Sequence, residues 1–167
     1  IWKHTDVGHN QVGRQEMKKL FGGQAFFDGP KPVSLLRRII YLSGASDDDI
    51  VLDFFAGSGT TGHAVLEANA EEGKNLKFIL VQLDEKVEPT SQAGKANFSS
   101  IVDITKERLR LAGEKILSGN CHANWNRDVG FHTFKIDTSN MKDVYYRPDE
   151  LSQTDLLEAV DNVKPDR

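Results

Sequence analysis

Residues Val51 to Thr61 read V-L-D-F-F-A-G-S-G-T-T and hold the densest set of chemistry-bearing types in the chain. An apolar run ends in a carboxylate at Asp53. Phe54, Phe55 and Ala56 follow, and Gly57, Ser58 and Gly59 then lead into Thr60 and Thr61. A strand–turn–helix junction of this kind holds an adenosine-bearing cofactor at the carboxyl end of a parallel strand. Gly57, Gly59 and Gly62 satisfy G-x-G-x-x-G, and Asp84 stands where a ribose-binding acid would fall downstream. One reading is therefore a nicotinamide or flavin dinucleotide site in an oxidoreductase. The detail argues against it. A pyrophosphate needs its glycine turn directly after the strand, with amides and a helix N-terminus facing its negative charge. Here Phe54, Phe55 and Ala56 separate Asp53 from Gly57, and the Asp53 carboxylate would repel a neighbouring phosphate. The same carboxylate suits an ammonium, and S-adenosylmethionine carries both an amino group and a sulfonium. The bland reading is a tight β–α turn without a ligand, in a non-catalytic assembly module.

The elements that must position these residues are legible on either side. Ile50 to Phe54 reads as a short buried strand, and Thr60 to Ala70 as a helix carrying Ala64, Val65 and Ala68. Leu76 to Leu83, L-K-F-I-L-V-Q-L, is a second strand of the parallel-sheet kind. A charged loop over Asp84 to Asn97 precedes a long helix from Ser99 to Leu117, with Ile101, Ile104, Leu111, Ala112 and Ile116 near one face. The mixture of acids and bases over Lys106 to Arg110 reads as its solvated side. Upstream, Arg14 to Phe21 forms a short helix stopped by Gly22 and Gly23, and Val33 to Leu42 another, entered through Pro32. Arg37 and Arg38 are placed on the solvated side of the latter. Gly130 to Ile136 alternates as a third strand, and Asp155 to Val163 suits a terminal helix. This β-α-β-α order predicts an α/β fold with a parallel sheet and right-handed crossovers.

Composition narrows the class. The 167 residues carry a formal net charge of -4, so no global charge favours a nucleic-acid or membrane surface. No apolar run approaches the roughly 20 residues of a membrane span, and the start has no signal-peptide pattern. Cys121 is the single cysteine, which excludes an internal disulfide and suits a reducing, cytoplasmic compartment. His4 and His9 lack a nearby Cys, Asp or Glu set, so a metal site is not expected. The chain opens on Ile1 rather than methionine, which reads as a fragment.

The stretch at Val51 to Thr61 resembles the S-adenosylmethionine motif of amino-methylating DNA methyltransferases, D-P-F-x-G-S-G-T, with Phe54 in place of the proline. F-F-D-G-P-K-P, residues 26–32, resembles the proline-flanked lysine motif that precedes it in the family's permuted β class. F-I-L-V-Q-L-D-E resembles the second strand, with Gln82 in the place of the ribose-binding acid and Asp84 and Glu85 just after. W-K-H-T-D-V-G-H-N-Q, K-K-L-F-G-G, V-D-I-T-K-E-R-L-R-L-A-G and S-N-M-K-D-V-Y-Y-R-P-D-E together resemble, in order, the modification subunit of type III restriction-modification systems.

The resemblance implies a Rossmann-like, S-adenosylmethionine-dependent methyltransferase fold with an incomplete sheet, three strands being expected here. Residues 1–136 would be the cofactor-binding half and 137–167 the start of an irregular C-terminal extension. Asp53 would hold the methionine ammonium, and the amides of Gly57, Ser58, Gly59, Thr60 and Thr61 would face the methionine portion. Phe54, Phe55, Ala56, Phe27, Asp28, Lys31 and Pro32 would line the pocket. Gln82, Asp84 or Glu85 would take the ribose hydroxyls. The family's catalytic D/N/S-P-P-Y/F/W tetrapeptide is missing: the five prolines, at 30, 32, 89, 148 and 165, are never adjacent. The resemblance thus implies the donor half of an enzyme that methylates adenine N6, inactive by itself. Its partners would be double-stranded DNA, met through a recognition region outside this chain, a restriction (nuclease/helicase) subunit, and a second copy of the full-length subunit.

Overall fold

The computed structural model describes residues 2–141 and 164, without the side chain of His4. The elements run α1 (His4–Val7), α2 (Asn10–Leu20), α3 (Val33–Ser43), β1 (Ile50–Asp53), α4 (Thr60–Glu72), β2 (Lys77–Leu80), α5 (Gln92–Lys95) and α6 (Ile101–Leu117). The chain divides into two compact units, Ile1–Gly130 and Phe131–Arg167.

In the first unit, β1 and β2 pair in parallel, from Ile50 opposite Lys77 to Asp53 opposite Leu80. The apolar alternation explains which face is covered. Val51 and Phe78 pack against a core of Val33, Ile40, Ala64, Val65 and Leu76, contributed by α3, α4 and the residue just before β2. The opposite face keeps Ile50, Leu52 and Ile79 about half exposed. Helix α4 is buried almost all round, because α3, the sheet and α6 all pack against it. A Cβ at Gly62 would stand 2.7 Å from Leu109 Cδ2 and 3.0 Å from Leu80 Cδ1, so that glycine lets α4 approach both neighbours.

Capping sets the helix limits. Helix α2 begins at Asn10, before the expected Arg14, because the His9 side chain accepts the Gln11 amide at 3.2 Å and starts the helix. Helix α6 begins where Ser100 accepts the Asp103 amide, while the Asp103 carboxylate accepts the amide and hydroxyl of Ser99, one residue before the cap. The loop after β2 contains the short α5, capped by Ser91.

Two sheet strands are present among the described residues, where three were expected. Residues 130–136 are irregular, with Phe134 87% and Ile136 83% exposed. Alternating residue types specify a strand only where a neighbouring backbone supplies the ladder, and among the described residues this run has none. In the second unit the Lys164 amide donates to the Asn140 carbonyl at 2.8 Å. The terminal helix expected over Asp155 to Val163 lies outside the described residues.

Candidate cofactor site

The carboxyl end of β1 delivers Asp53 to the mouth of the glycine loop. Its Oδ1 accepts the Phe55 amide at 3.0 Å and its Oδ2 accepts the Thr61 hydroxyl at 2.5 Å, so the carboxylate is turned across the loop. Phe54 and Phe55 stand 62% and 83% exposed. They are therefore a rim and not a core. Ala56 is buried and its amide donates to the Val81 carbonyl, which ties the loop to the end of β2.

Gln82 supplies a second tie. Its Oε1 accepts the Gly57 amide at 2.8 Å, and its Nε2 reaches the Leu83 carbonyl at 3.3 Å. Asp84 and Glu85 are exposed beyond it, Asp84 paired with Lys86 at 2.7 Å. The Gly59 amide turns back to the Ala56 carbonyl, and the Gly59 carbonyl starts α4 by accepting from His63. The amides of Ser58, Thr60 and Thr61 have no backbone acceptor. Donors at a helix start are left over in this way and face whatever lies at the loop mouth.

The 27–32 loop meets the glycine loop from the other side. A Cβ on Gly57 would stand 3.3 Å from Phe27 Cζ, so the Phe27 ring lies over that glycine. Pro30 and Pro32 are fully buried, whereas Asp28 and Lys31 are exposed. Helix α2 anchors this segment: Glu16 accepts the Val33 amide at 2.9 Å. A Cβ at Gly13 would fall 2.2 Å from the Pro30 carbonyl oxygen, which only a glycine accommodates. Asp53, the glycine loop, Phe27 and Gln82 thus share one mouth, while the Asp28 and Lys31 side chains face solvent.

Helix α6 braces the loop from behind, a role the amino-acid pattern did not reveal. Thr105 Oγ1 lies 2.6 Å from the Gly57 carbonyl. Arg108 NH1 donates to Ser58 Oγ at 2.8 Å and Thr60 Oγ1 at 2.7 Å. Arg108 is 0% exposed, so the placement of Lys106 to Arg110 on a solvated face is wrong for this residue. Burial lowers its guanidinium to about 10, against which the charges of Glu16 and Glu67 act. Spacing held the signal: Ile104, Arg108 and Ala112, four apart, form one buried stripe. Arg37 also departs from expectation, being partly buried and paired with Glu71 and Glu72, while Arg38 is exposed as foreseen.

A cavity of about 560 Å³ opens elsewhere in the same unit, among α1, α2, α3, α4 and α6, and none of the cofactor candidates lines it. His63 is buried on its wall, with Nε2 3.2 Å from Glu67 Oε1. Burial pushes the Glu67 carboxyl up, but His63, Arg37 and Lys115 outweigh it and hold the group below its ordinary value.

Two parallel strands, a carboxylate at a strand end and a glycine loop entering a helix make a mixed α/β unit compatible with a methyltransferase domain. A family model described as DNA methylase, of the N6/N4 methyltransferase type, matches residues 1–114, and the chain belongs to that family. It is 38% identical over 151 residues to the type III restriction-modification enzyme StyLTI Mod subunit of Salmonella typhimurium, covering 90% of this chain and 22% of that protein. It is 42% identical over 115 residues to the EcoPI Mod subunit of Escherichia phage P1, covering 69% of this chain and 17% of that subunit. The type II methyltransferase M.KpnI of Klebsiella pneumoniae is 39% identical over 114 residues, 68% of this chain and 27% of that enzyme. The chain therefore spans about a sixth to a quarter of the length of these relatives.

Proposed function

We propose that this chain is the S-adenosylmethionine-binding portion of an adenine-N6 DNA methyltransferase of the type III restriction-modification kind. The observation that carries the reading is the pairing of opposite charges at one loop mouth. The Asp53 carboxylate accepts the Thr61 hydroxyl, and the amides of Ser58, Thr60 and Thr61 in the same loop have no backbone acceptor. That pair matches the ammonium and carboxylate of the cofactor's amino-acid end. When bound, the cofactor supplies an activated methyl group on its sulfonium. The chain's own residues bind and orient it. Asp53 takes the ammonium, and the amides take the carboxylate. Phe54, Phe55 and Phe27 cover the apolar part, beside Ala56, Pro32 and the backbone of Asp28 and Lys31. Gln82, Asp84 and Glu85 lie toward the ribose hydroxyls, Gln82 offering only its amide because its oxygen holds Gly57.

On this reading the two described strands belong to a larger Rossmann-like sheet, residues 1–136 forming the cofactor half and 137–167 opening a C-terminal extension. The family names of the relatives support DNA as the substrate and a restriction subunit as a partner of the whole protein. Among the described residues no helix is long and apolar enough to cross a membrane, and a cytoplasmic, homodimeric full-length subunit suits the same reading.

Calorimetric titration of the 167-residue chain with S-adenosylmethionine is the test. The unsubstituted chain binds, and Asp53→Ala loses about 10- to 150-fold, the worth of one hydrogen bond to a charged group at about 1.5–3 kcal/mol. Equal affinity for both, or binding by neither, sinks the assignment. Because the D/N/S-P-P-Y/F/W tetrapeptide is not in the chain, it transfers no methyl group to DNA alone. Methyl incorporation by the purified chain would show that part of the reading to be wrong.

A further inference from the structure

A buried cation stands directly behind the proposed cofactor loop, with the charges of Glu16 and Glu67 acting on it from beyond ion-pair distance. Arg108 is fully buried, and among the described residues it makes no ion pair. Its NH1 is satisfied by the hydroxyls of Ser58 and Thr60, while Nε and NH2 have no hydrogen-bond partner. An apolar side chain of similar volume could fill this space without the cost of desolvating a charge. The two hydroxyls that accept from Arg108 are themselves buried, and Ser58 and Thr60 carry two of the three free loop amides. Their oxygens lie 3.4 Å apart, so the guanidinium polarises a pair of linked hydroxyls at the start of the loop and helix. The Asp53 carboxylate meets the same loop at the Phe55 amide and the Thr61 hydroxyl. The loop is thus held by a cation through Ser58 and Thr60 and by a carboxylate through Thr61 and Phe55.

We propose that Arg108 is a positioning residue of this site. Acting through Ser58 and Thr60, its charge makes the loop select the carboxylate of the cofactor's amino-acid end and so fixes which way round that end lies. The inference rests on the proposed reading of the loop as the S-adenosylmethionine site. Thr105 is the neutral half of the same brace and holds the Gly57 carbonyl.

The probe is decarboxylated S-adenosylmethionine, which keeps the ammonium and sulfonium but lacks the carboxylate. Both compounds are titrated calorimetrically into the 167-residue chain. The unsubstituted chain prefers the carboxylated compound. Arg108→Gln keeps hydrogen-bond donors and removes the charge. It lowers that preference about tenfold, a size expected of a charge acting at an effective dielectric of about 20, and leaves affinity for the decarboxylated compound unchanged. Arg108→Lys keeps the charge and retains most of the preference. Where circular dichroism shows Arg108→Gln unfolded, Ser58→Ala replaces it and lowers the preference by cutting one hydroxyl from the path. Equal weakening of both compounds by Arg108→Gln or Ser58→Ala overturns the proposal, because a purely structural brace does not distinguish them. An unsubstituted chain that binds both compounds equally overturns it too. If the unsubstituted chain binds neither, the reading of the loop as the cofactor site falls, and this proposal with it.

Discussion

Gly59 has a positive φ of +77°, and a Cβ there would stand 2.8 Å from Thr105 Cγ2. Two separate penalties therefore meet in Gly59→Ala. Holding an alanine in the left-handed region costs about 1–2 kcal/mol, and forcing a methyl against a packed side chain costs about 1–3 kcal/mol. Thr105 cannot rotate away freely, because its hydroxyl is held by the Gly57 carbonyl at 2.6 Å and the Ile101 carbonyl at 3.0 Å. The expected loss of folding free energy is thus about 2–5 kcal/mol. Gly44→Ala is the control: φ is +71° at that helix end and nothing lies within 4 Å of its Cβ position. It loses only the backbone part, about 1–2 kcal/mol. Equilibrium urea unfolding followed by far-ultraviolet circular dichroism and by the fluorescence of buried Trp125 measures both. Thr105→Ser removes the clashing methyl and keeps the hydroxyl, so the double variant Gly59→Ala, Thr105→Ser recovers the steric part. The cycle then shows a favourable coupling of about 1 kcal/mol or more. Equal losses at Gly59 and Gly44, or strict additivity in the cycle, would refute the claim that α6 presses on the loop.

Two further perturbations test the frame around the site. Ser100→Ala removes the side-chain acceptor of the Asp103 amide at the start of α6 and is expected to cost about 1 kcal/mol in the same urea assay; no loss would show that the Asp103–Ser99 bonds alone define that helix end. Acid acts through Glu67, whose carboxyl is held below its unfolded value of 4.5 by His63, Arg37 and Lys115 against the opposing effect of burial. A depressed carboxyl contributes stability above the unfolded value, and that contribution is lost as pH falls through the lower folded value. The stability gap between the unsubstituted chain and Glu67→Gln therefore narrows as pH drops below 4.5; a gap that stays constant down to acid unfolding would contradict the ion-pair account.

Much of the candidate site was legible before any fold was known, because local chemistry placed it. A carboxylate ending an apolar run, then an aromatic pair and spaced glycines, specify a strand end and a helix start with little room for alternatives. The 27–32 loop was legible as a rigid segment from its prolines, and its Phe27 does reach Gly57. Gln82 was visible as a substitute for an acid, but its bond to the Gly57 amide depends on how two parallel strands align. The third strand failed at 130–136 for the converse reason. Its alternation was a local property, and a strand is a property of pairs.

The amino-acid sequence alone determined the β1–α4–β2–α6 order, the glycine loop and the family resemblance, because each depends on residues close together in the chain. The tertiary structure alone decided what stands behind that loop. Thr105 and Arg108 lie 48 and 50 residues from the atoms they hold, and although the spacing of Ile104, Arg108 and Ala112 marks a buried stripe, it does not say what the guanidinium meets there. Only the packing of α6 against α4 removes Arg108 from water and commits its charge to Ser58 and Thr60.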